Sequence, residues 1–169
     1  AGGEGSGKSF LGALYGLCRS FHDFVVHGPD LYWIVGADFE DARVEFGLGG
    51  GEYLLAWAEK LGIADRSISS FTKDDKCVLG TQFKVGDTSF PGHRYETVSA
   101  YDETKIARVE PRGIIGCEIS RWEKGVWERC YGRLARKAPH SWGFFSGSFE
   151  ISVGYFPELF NLVDKCQCP

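Results

Sequence analysis

Gly2-Gly3-Glu4-Gly5-Ser6-Gly7-Lys8-Ser9 opens the chain and fits the spacing G-x-x-x-x-G-K-[ST] at every position. Glycines in this pattern let a backbone wrap around a chain of phosphates, with their amides forming an anion nest at a helix start. Lys8 is placed to reach the β and γ phosphates of a nucleoside triphosphate, and the Ser9 hydroxyl to bind Mg²⁺. A flexible Gly/Ser tail is the bland alternative, but such a tail does not call for Lys-Ser at this spacing ahead of an apolar helix.

Around this loop the chain reads as one α/β domain. Phe10, Leu14, Leu17, Phe21 and Phe24 recur at helical spacing and predict a helix over 8–25 that buries that face, with Gly12 and Gly16 permitting close approach to a sheet. Leu31-Tyr32-Trp33-Ile34-Val35-Gly36 is a continuous apolar run, the pattern of a strand covered on both faces. Asp38 reads as the N-cap of a helix over 39–46. Asp38, Glu40 and Asp41 then serve capping and dipole chemistry rather than a metal. A second amphipathic helix is expected over 52–61, with Tyr53, Leu54, Trp57 and Leu61 inward.

The middle is expected as short strands at 67–71, 76–79 and 82–85, an antiparallel insertion. A loop is expected over 88–94 with Pro91-Gly92 as its turn, then a strand over 95–101 and a helical turn at 102–106. Ile114-Ile115-Gly116-Cys117-Glu118 is a buried strand ending in an acid. A helix over 124–137 follows. Trp127, Cys130, Tyr131 and Leu134 share one of its faces, and Arg129, Arg133 and Arg136 the opposite one. Trp142–Ser148 reads as a strand ending in small polar residues. Strands alternating with helices after a phosphate loop predict a three-layer α/β sandwich with a mainly parallel sheet.

Composition bounds the alternatives. At 169 residues, with 43% hydrophobic and 25% charged residues, the chain suits one domain with a sizeable core. A net charge of −4 lacks the basic balance of a free-standing DNA binder, so any nucleic-acid contact must come from a local patch. No apolar run approaches the roughly 18 residues of a membrane span, and no secretory signal pattern appears. Six scattered cysteines, Cys18, Cys77, Cys117, Cys130, Cys166 and Cys168, read as reduced and mostly buried rather than as a disulfide framework. The absence of methionine, and a phosphate loop beginning at residue 2, give the expectation of a partial domain whose loop-bearing strand precedes Ala1.

In open α/β sheets ligands sit beyond the carboxyl ends of the strands, so the 2–9 loop, Glu118 and Ser146-Gly147-Ser148 are expected to converge. Glu118 is the candidate to position and deprotonate attacking water, the alternative being a solvated acid at a strand end. Ser146 and Ser148 either sense the γ phosphate and relay its loss, or make a plain strand-ending turn. The Arg129/Arg133/Arg136 face either lines a nucleic-acid backbone, supplies an arginine to transition-state charge in cis or in a neighbouring subunit, or is an ordinary solvated face.

The order of these stretches resembles the ATPase half of phage terminase large subunits, the motors that package DNA into capsids. GGEGSGKS at 2–9, LYWIVGADFEDARVEF at 31–46, SAYDETKIARVEPRGIIGCEISRWEKGVWERCYGRL at 99–134 and WGFFSGSFE at 142–150 carry the resemblance. It implies that Lys8 and Ser9 handle phosphate and magnesium, that Glu118 is the catalytic glutamate, and that Ser146, Gly147 and Ser148 form the coupling motif. It further implies ATP and Mg²⁺ as ligands and double-stranded DNA as the translocated partner. A ring of subunits on a portal protein, a small terminase subunit and action in the host cytoplasm away from membranes are implied in the same way. One position departs: the family's acid pair is Asp-Glu, and here it is Cys117-Glu118. A thiol is a poor ligand for hard Mg²⁺, so Ser9 and the phosphates must suffice, another acid must help, or activity is reduced. The family's second domain is a nuclease, and no acidic cluster after Phe149 matches one. Two other readings compete: a P-loop kinase of a small acceptor, for which no arginine-rich lid is evident, and an inactive nucleotide-binding fragment.

Overall fold

The computed structural model describes residues 7–47, 53–71 and 77–148. Gly2, Gly3, Glu4, Gly5 and Ser6, Cys166 and Cys168, and the segment after Ser148 lie outside them. Twelve elements follow in order: α1 (Lys8–His27), β1 (Leu31–Gly36), α2 (Phe39–Phe46), α3 (Leu54–Lys60), β2 (Ala64–Ser70), β3 (Val78–Val85), β4 (Thr88–Ser99), α4 (Glu103–Arg108), β5 (Gly113–Gly116), the 3-10 turn η1 (Ile119–Arg121), α5 (Lys124–Arg136) and β6 (Trp142–Phe145).

One six-stranded sheet, ordered β2-β3-β4-β1-β5-β6, runs through the molecule. β4, β1, β5 and β6 are parallel, and β2, β3 and β4 form an antiparallel wing. β1 lies near the centre with helices on both faces, and Tyr32, Trp33, Ile34 and Val35 are all at most 1% exposed. Its alternate side chains enter two cores. Tyr32 and Ile34 pack with α1 and α3, while Trp33 and Val35 pack with α4 and α5. The expected three layers and mainly parallel sheet are therefore present.

Helix α1 docks differently from its apolar periodicity. Its buried residues are Gly12, Ala13, Gly16, Leu17, Ser20 and Asp23. Phe10 and Phe21 are 38% and 56% exposed, correcting the expected inward face. The reason is close approach: a Cβ on Gly16 would lie 2.6 Å from Ile115 Cδ1, so the small residues face the sheet and the large ones flank it. Buried Asp23 is held by the Tyr32 hydroxyl, which donates at 3.1 Å, and by Trp142 Nε1, which donates at 2.8 Å. Leu61, expected inward, is also exposed, as is Tyr131, placed on one helix face with Cys130 and Leu134. Leu54, Leu55 and Ala58 bury α3, and Val126, Cys130 and Leu134 bury α5.

The wing corrects the expected loop over 88–94. Thr88–Ser99 is one continuous strand, and the reversal falls at Gly86-Asp87, where Val85 pairs with Thr88 and Gly86 has φ 61. Pro91 is tolerated opposite Gln82 because β1 begins only opposite Arg94, leaving β4 with one neighbour there. The short strands expected at 76–79 and 82–85 fuse into β3, with a register shift between Gly80 and Gln82. Cys77, Cys117 and Cys130 are buried free thiols, whereas Cys18 is exposed.

Candidate functional site

The four parallel strands bring their carboxyl ends to one edge: Gly36 pairs with Ser99, Val35 with Gly116, and Gly116 with Phe145. Helix α1 begins at that edge. Gly7 caps it in the left-handed region at φ 75, and its carbonyl accepts from the Leu11 amide at 2.9 Å. The first turn carries neither an acidic residue nor a side-chain cap, so the positive end of the helix stays uncompensated by its own sequence.

The sequence pattern makes Glu118 the last residue of its strand; the structure ends β5 two residues earlier, at Gly116, and turns the chain. Glu118 stands at φ 46, ψ 50, and is the one non-glycine residue with positive φ among the described residues. The Ile119 amide donates to the Ser146 carbonyl at 2.9 Å, and the Arg121 amide to the Glu118 carbonyl at 2.9 Å. These contacts hold a conformation that disfavours side chains other than glycine, asparagine and aspartate. The side chain is thereby gripped from two sides. Lys8 Nζ lies 3.4 Å from Oε1. Ser148 donates to Oε2 from its backbone amide at 3.1 Å and its hydroxyl at 3.3 Å. Glu118 thus joins the start of α1 to the segment after β6.

Ser146 and Ser148, expected to act together, are separated by the structure. Ser146 extends the ladder: its amide and hydroxyl donate to the Gly116 carbonyl at 2.9 and 3.4 Å. Only Ser148 touches the glutamate. Ser9 donates its hydroxyl proton to Glu45 Oε1 at 2.5 Å. Glu45 lies within the helix expected over 39–46, but nothing in the sequence pattern singles it out. Burial pushes the Glu45 carboxyl above its ordinary range; the Ser9 hydrogen bond and Lys8 oppose that, and Glu118 and Asp41 add to it. Burial also raises Asp41, against the pull of Arg121, whose Nη1 is 2.6 Å from Asp41 Oδ2.

Cys117 is 2% exposed within the core against α1 and α3. Burial pushes its thiol well up, reinforced by the charges of Glu45, Asp41 and Glu118, so it stays neutral. Among the described residues no group of three or more His, Cys, Asp or Glu is arranged to hold a metal. The arginines lie elsewhere. Arg136 Nη1 is 2.8 Å and Arg133 Nη1 3.6 Å from Glu110 Oε1, and Arg133 also donates to the Ala107 carbonyl. Those partners precede β5, so Arg133 and Arg136 sit at the edge opposite Lys8. Arg129 is exposed on the same helix. Among the described residues no helix is long and apolar enough to cross a membrane.

No protein-family model and no curated protein sequence matches the chain. Solved structures do. The large terminase ATPase domain of Thermus phage P74-26 superposes with a TM-score of 0.63 at 15% identity, covering 94% of this chain and 61% of that one. A mutant form of the same domain gives 0.62 at 17% identity. The large terminase of a thermophilic bacteriophage gives 0.64 at 8% identity, covering 96% of this chain and 36% of that one. The chain therefore spans about three fifths of the first two structures and little over a third of the third. The sheet and its helical layers together have the fold of phage large-terminase ATPase domains.

Proposed function

We propose that this chain is the ATP-hydrolysing part of a viral DNA-packaging motor. The observation that carries the reading is the contact chain Lys8–Glu118–Ser148 at the carboxyl edge of the parallel strands. It links the phosphate loop, an acid and the segment after β6 in one continuous path. The fold likeness supports the same reading.

In this reading the amides of Gly2, Gly3, Glu4, Gly5, Ser6 and Gly7 cradle the phosphates, Lys8 reaches the β and γ groups, and Ser9 holds Mg²⁺. The donors present fit such a ligand: Gly7 opens a helix end with no side-chain cap, and the Ser9 proton is taken by Glu45, leaving its oxygen lone pairs available. The magnesium ion supplies neutralisation of phosphate charge. Lys8 is parked on Glu118 and turns to the γ phosphate as nucleotide enters, freeing Oε1. Glu118 then accepts a proton from water as the water oxygen bonds to the γ phosphorus and the bond to the bridging oxygen breaks, leaving ADP and phosphate. Ser148 keeps hold of Oε2, so the carboxylate's position is tied to residues 146–148. Movement there transmits the state of the site to DNA-handling parts of the machine.

The partners belong to the same reading: double-stranded DNA, further copies in a ring on a portal protein, and a small terminase subunit, all in the host cytoplasm. The Arg129/Arg133/Arg136 face offers a path for a phosphate backbone or an arginine to a neighbouring copy. The test is ATP hydrolysis by the full-length protein with and without double-stranded DNA. Stimulation by DNA that disappears in Glu118→Gln supports the reading. Stimulated hydrolysis surviving Glu118→Gln removes Glu118 from its role, and phosphoryl transfer to a small acceptor without any DNA effect replaces the motor with a kinase.

A further inference from the structure

The site has a carboxylate that the sequence pattern does not announce. We infer that Glu45 is the positioning residue for the metal-binding hydroxyl, holding Ser9 so that its lone pairs face the cation. The inference rests on the nucleotide site proposed above.

A serine hydroxyl has one proton and two lone pairs, and can ligate a cation only through a lone pair. Its proton must then go to an acceptor on the protein side. Among the described residues Glu45 Oε1 is that acceptor, at 2.5 Å. The other nearby groups are committed: Glu118 is gripped by Lys8 and Ser148, and Cys117 is a buried neutral thiol. Charge adds to geometry, because a carboxylate behind the hydroxyl makes its oxygen a better ligand for a hard cation.

Glu45 is held firmly enough for this work. Helix α2 is capped at its start by Asp38, whose side chain accepts from the Asp41 amide at 2.8 Å, and at its end by Gly47 in the left-handed region. The helix is pressed onto the end of β1, where a Cβ on Gly36 would lie 2.3 Å from the Ala42 nitrogen. Glu45 therefore reaches Ser9 from a rigid base, across 36 residues of sequence.

The test is ADP affinity by calorimetry on the full-length protein, in EDTA and in saturating Mg²⁺, for wild type, Glu45→Ala, Glu45→Gln, Ser9→Ala and the double variant Ser9→Ala/Glu45→Ala. The ratio of the two affinities isolates the metal's contribution. Glu45→Ala is expected to leave affinity in EDTA within about twofold and to reduce the magnesium-dependent gain by about tenfold or more, the range for lost outer-shell partners. Glu45→Gln, which keeps an acceptor of the same size without charge, falls between. The double variant is no worse than Ser9→Ala, because Glu45 acts through Ser9. A magnesium gain unchanged in both Glu45 variants overturns the inference while nucleotide binding stands, and so does an equal further loss on the Ser9→Ala background. Absence of ADP binding by wild type overturns it together with the nucleotide site itself.

Discussion

Lys8 Nζ lies 3.4 Å from Glu118 Oε1 while Ser148 holds the opposite oxygen of the same carboxylate. The first residue of α1 and one from the segment after β6 therefore meet on a single acid. If that acid is the general base, replacing it by its amide removes proton acceptance and keeps shape. Glu118→Gln is expected to lower steady-state hydrolysis by about 100-fold or more while leaving ADP affinity within about threefold. Phosphate-release kinetics and calorimetry on one preparation check both halves, and equal losses in rate and affinity would assign Glu118 to nucleotide binding instead.

The backbone at Glu118 supplies a second, independent prediction. At φ 46 a side chain with Cβ is strained, and the strain is separable from the ion pair. Glu118→Ala and Glu118→Gly both delete the carboxylate, but only glycine relieves the conformation. Glycine should be the more stable variant by about 1 kcal/mol, the left-handed penalty for a non-glycine residue. This reverses the usual order of alanine over glycine, and urea denaturation of the pair reads it directly. Alanine as stable as glycine would show that the turn relaxes in the variants.

Much of this geometry was legible in the residues. The buried run Leu31–Gly36, the Asp38 cap and the Lys124–Arg136 helix each follow from one local rule: apolar continuity, capping chemistry, or a 3.6-residue period. Two kinds of feature were not. On α1, Gly12 and Gly16 announce the close approach to Ile115 and Phe144, but the exposure of Phe10 and Phe21 is hidden, because glycine and alanine carry little hydrophobic signal against a phenylalanine period. Pro91-Gly92 carries a strong turn signal that the sheet overrides, since β4 has a single neighbour there and a register shift absorbs the mismatch. At the site, the phosphate loop and Glu118 stood out by pattern, whereas Glu45 meets Ser9 only through the docking of α2 on β1. That contact is long-range, and no spacing rule reports it.

Gly36 is where that docking is most exposed to test. A Cβ there would fall 2.3 Å from the Ala42 nitrogen and 2.8 Å from the Asp38 oxygen, both backbone atoms that cannot rotate aside. Gly36→Ala should destabilise the protein by about 3 kcal/mol, the upper range for overpacking. Gly28→Ala is a useful contrast, because nothing lies within 4 Å of its Cβ and only its φ of 77 is penalised. Its loss should be about 1 kcal/mol. Equal denaturation midpoints for the two variants would mean that α2 is not tightly seated on β1.

At the edge opposite the site a depressed carboxylate couples stability to pH. Asp30 bridges Arg112 Nε at 2.6 Å and Lys137 Nζ at 2.7 Å, tying the start of β1 to β5 and the end of α5. Burial works to raise its carboxyl, but the hydrogen bonds from Lys137, the Leu31 amide and Arg112 prevail and hold it below its ordinary value of 3.8. A carboxylate depressed in the folded state contributes stability that is fully present above its unfolded value. That contribution is lost as pH falls through the lower folded value. Asp30→Asn should therefore destabilise the protein near neutral pH by about 2 kcal/mol, the scale of hydrogen bonds to charged groups. The gap to wild type should narrow as pH falls below about 4, where wild type loses the same charge. Thermal melts of both proteins across that range decide it. A gap independent of pH would show that Asp30 acts through shape and neutral hydrogen bonds rather than through its charge.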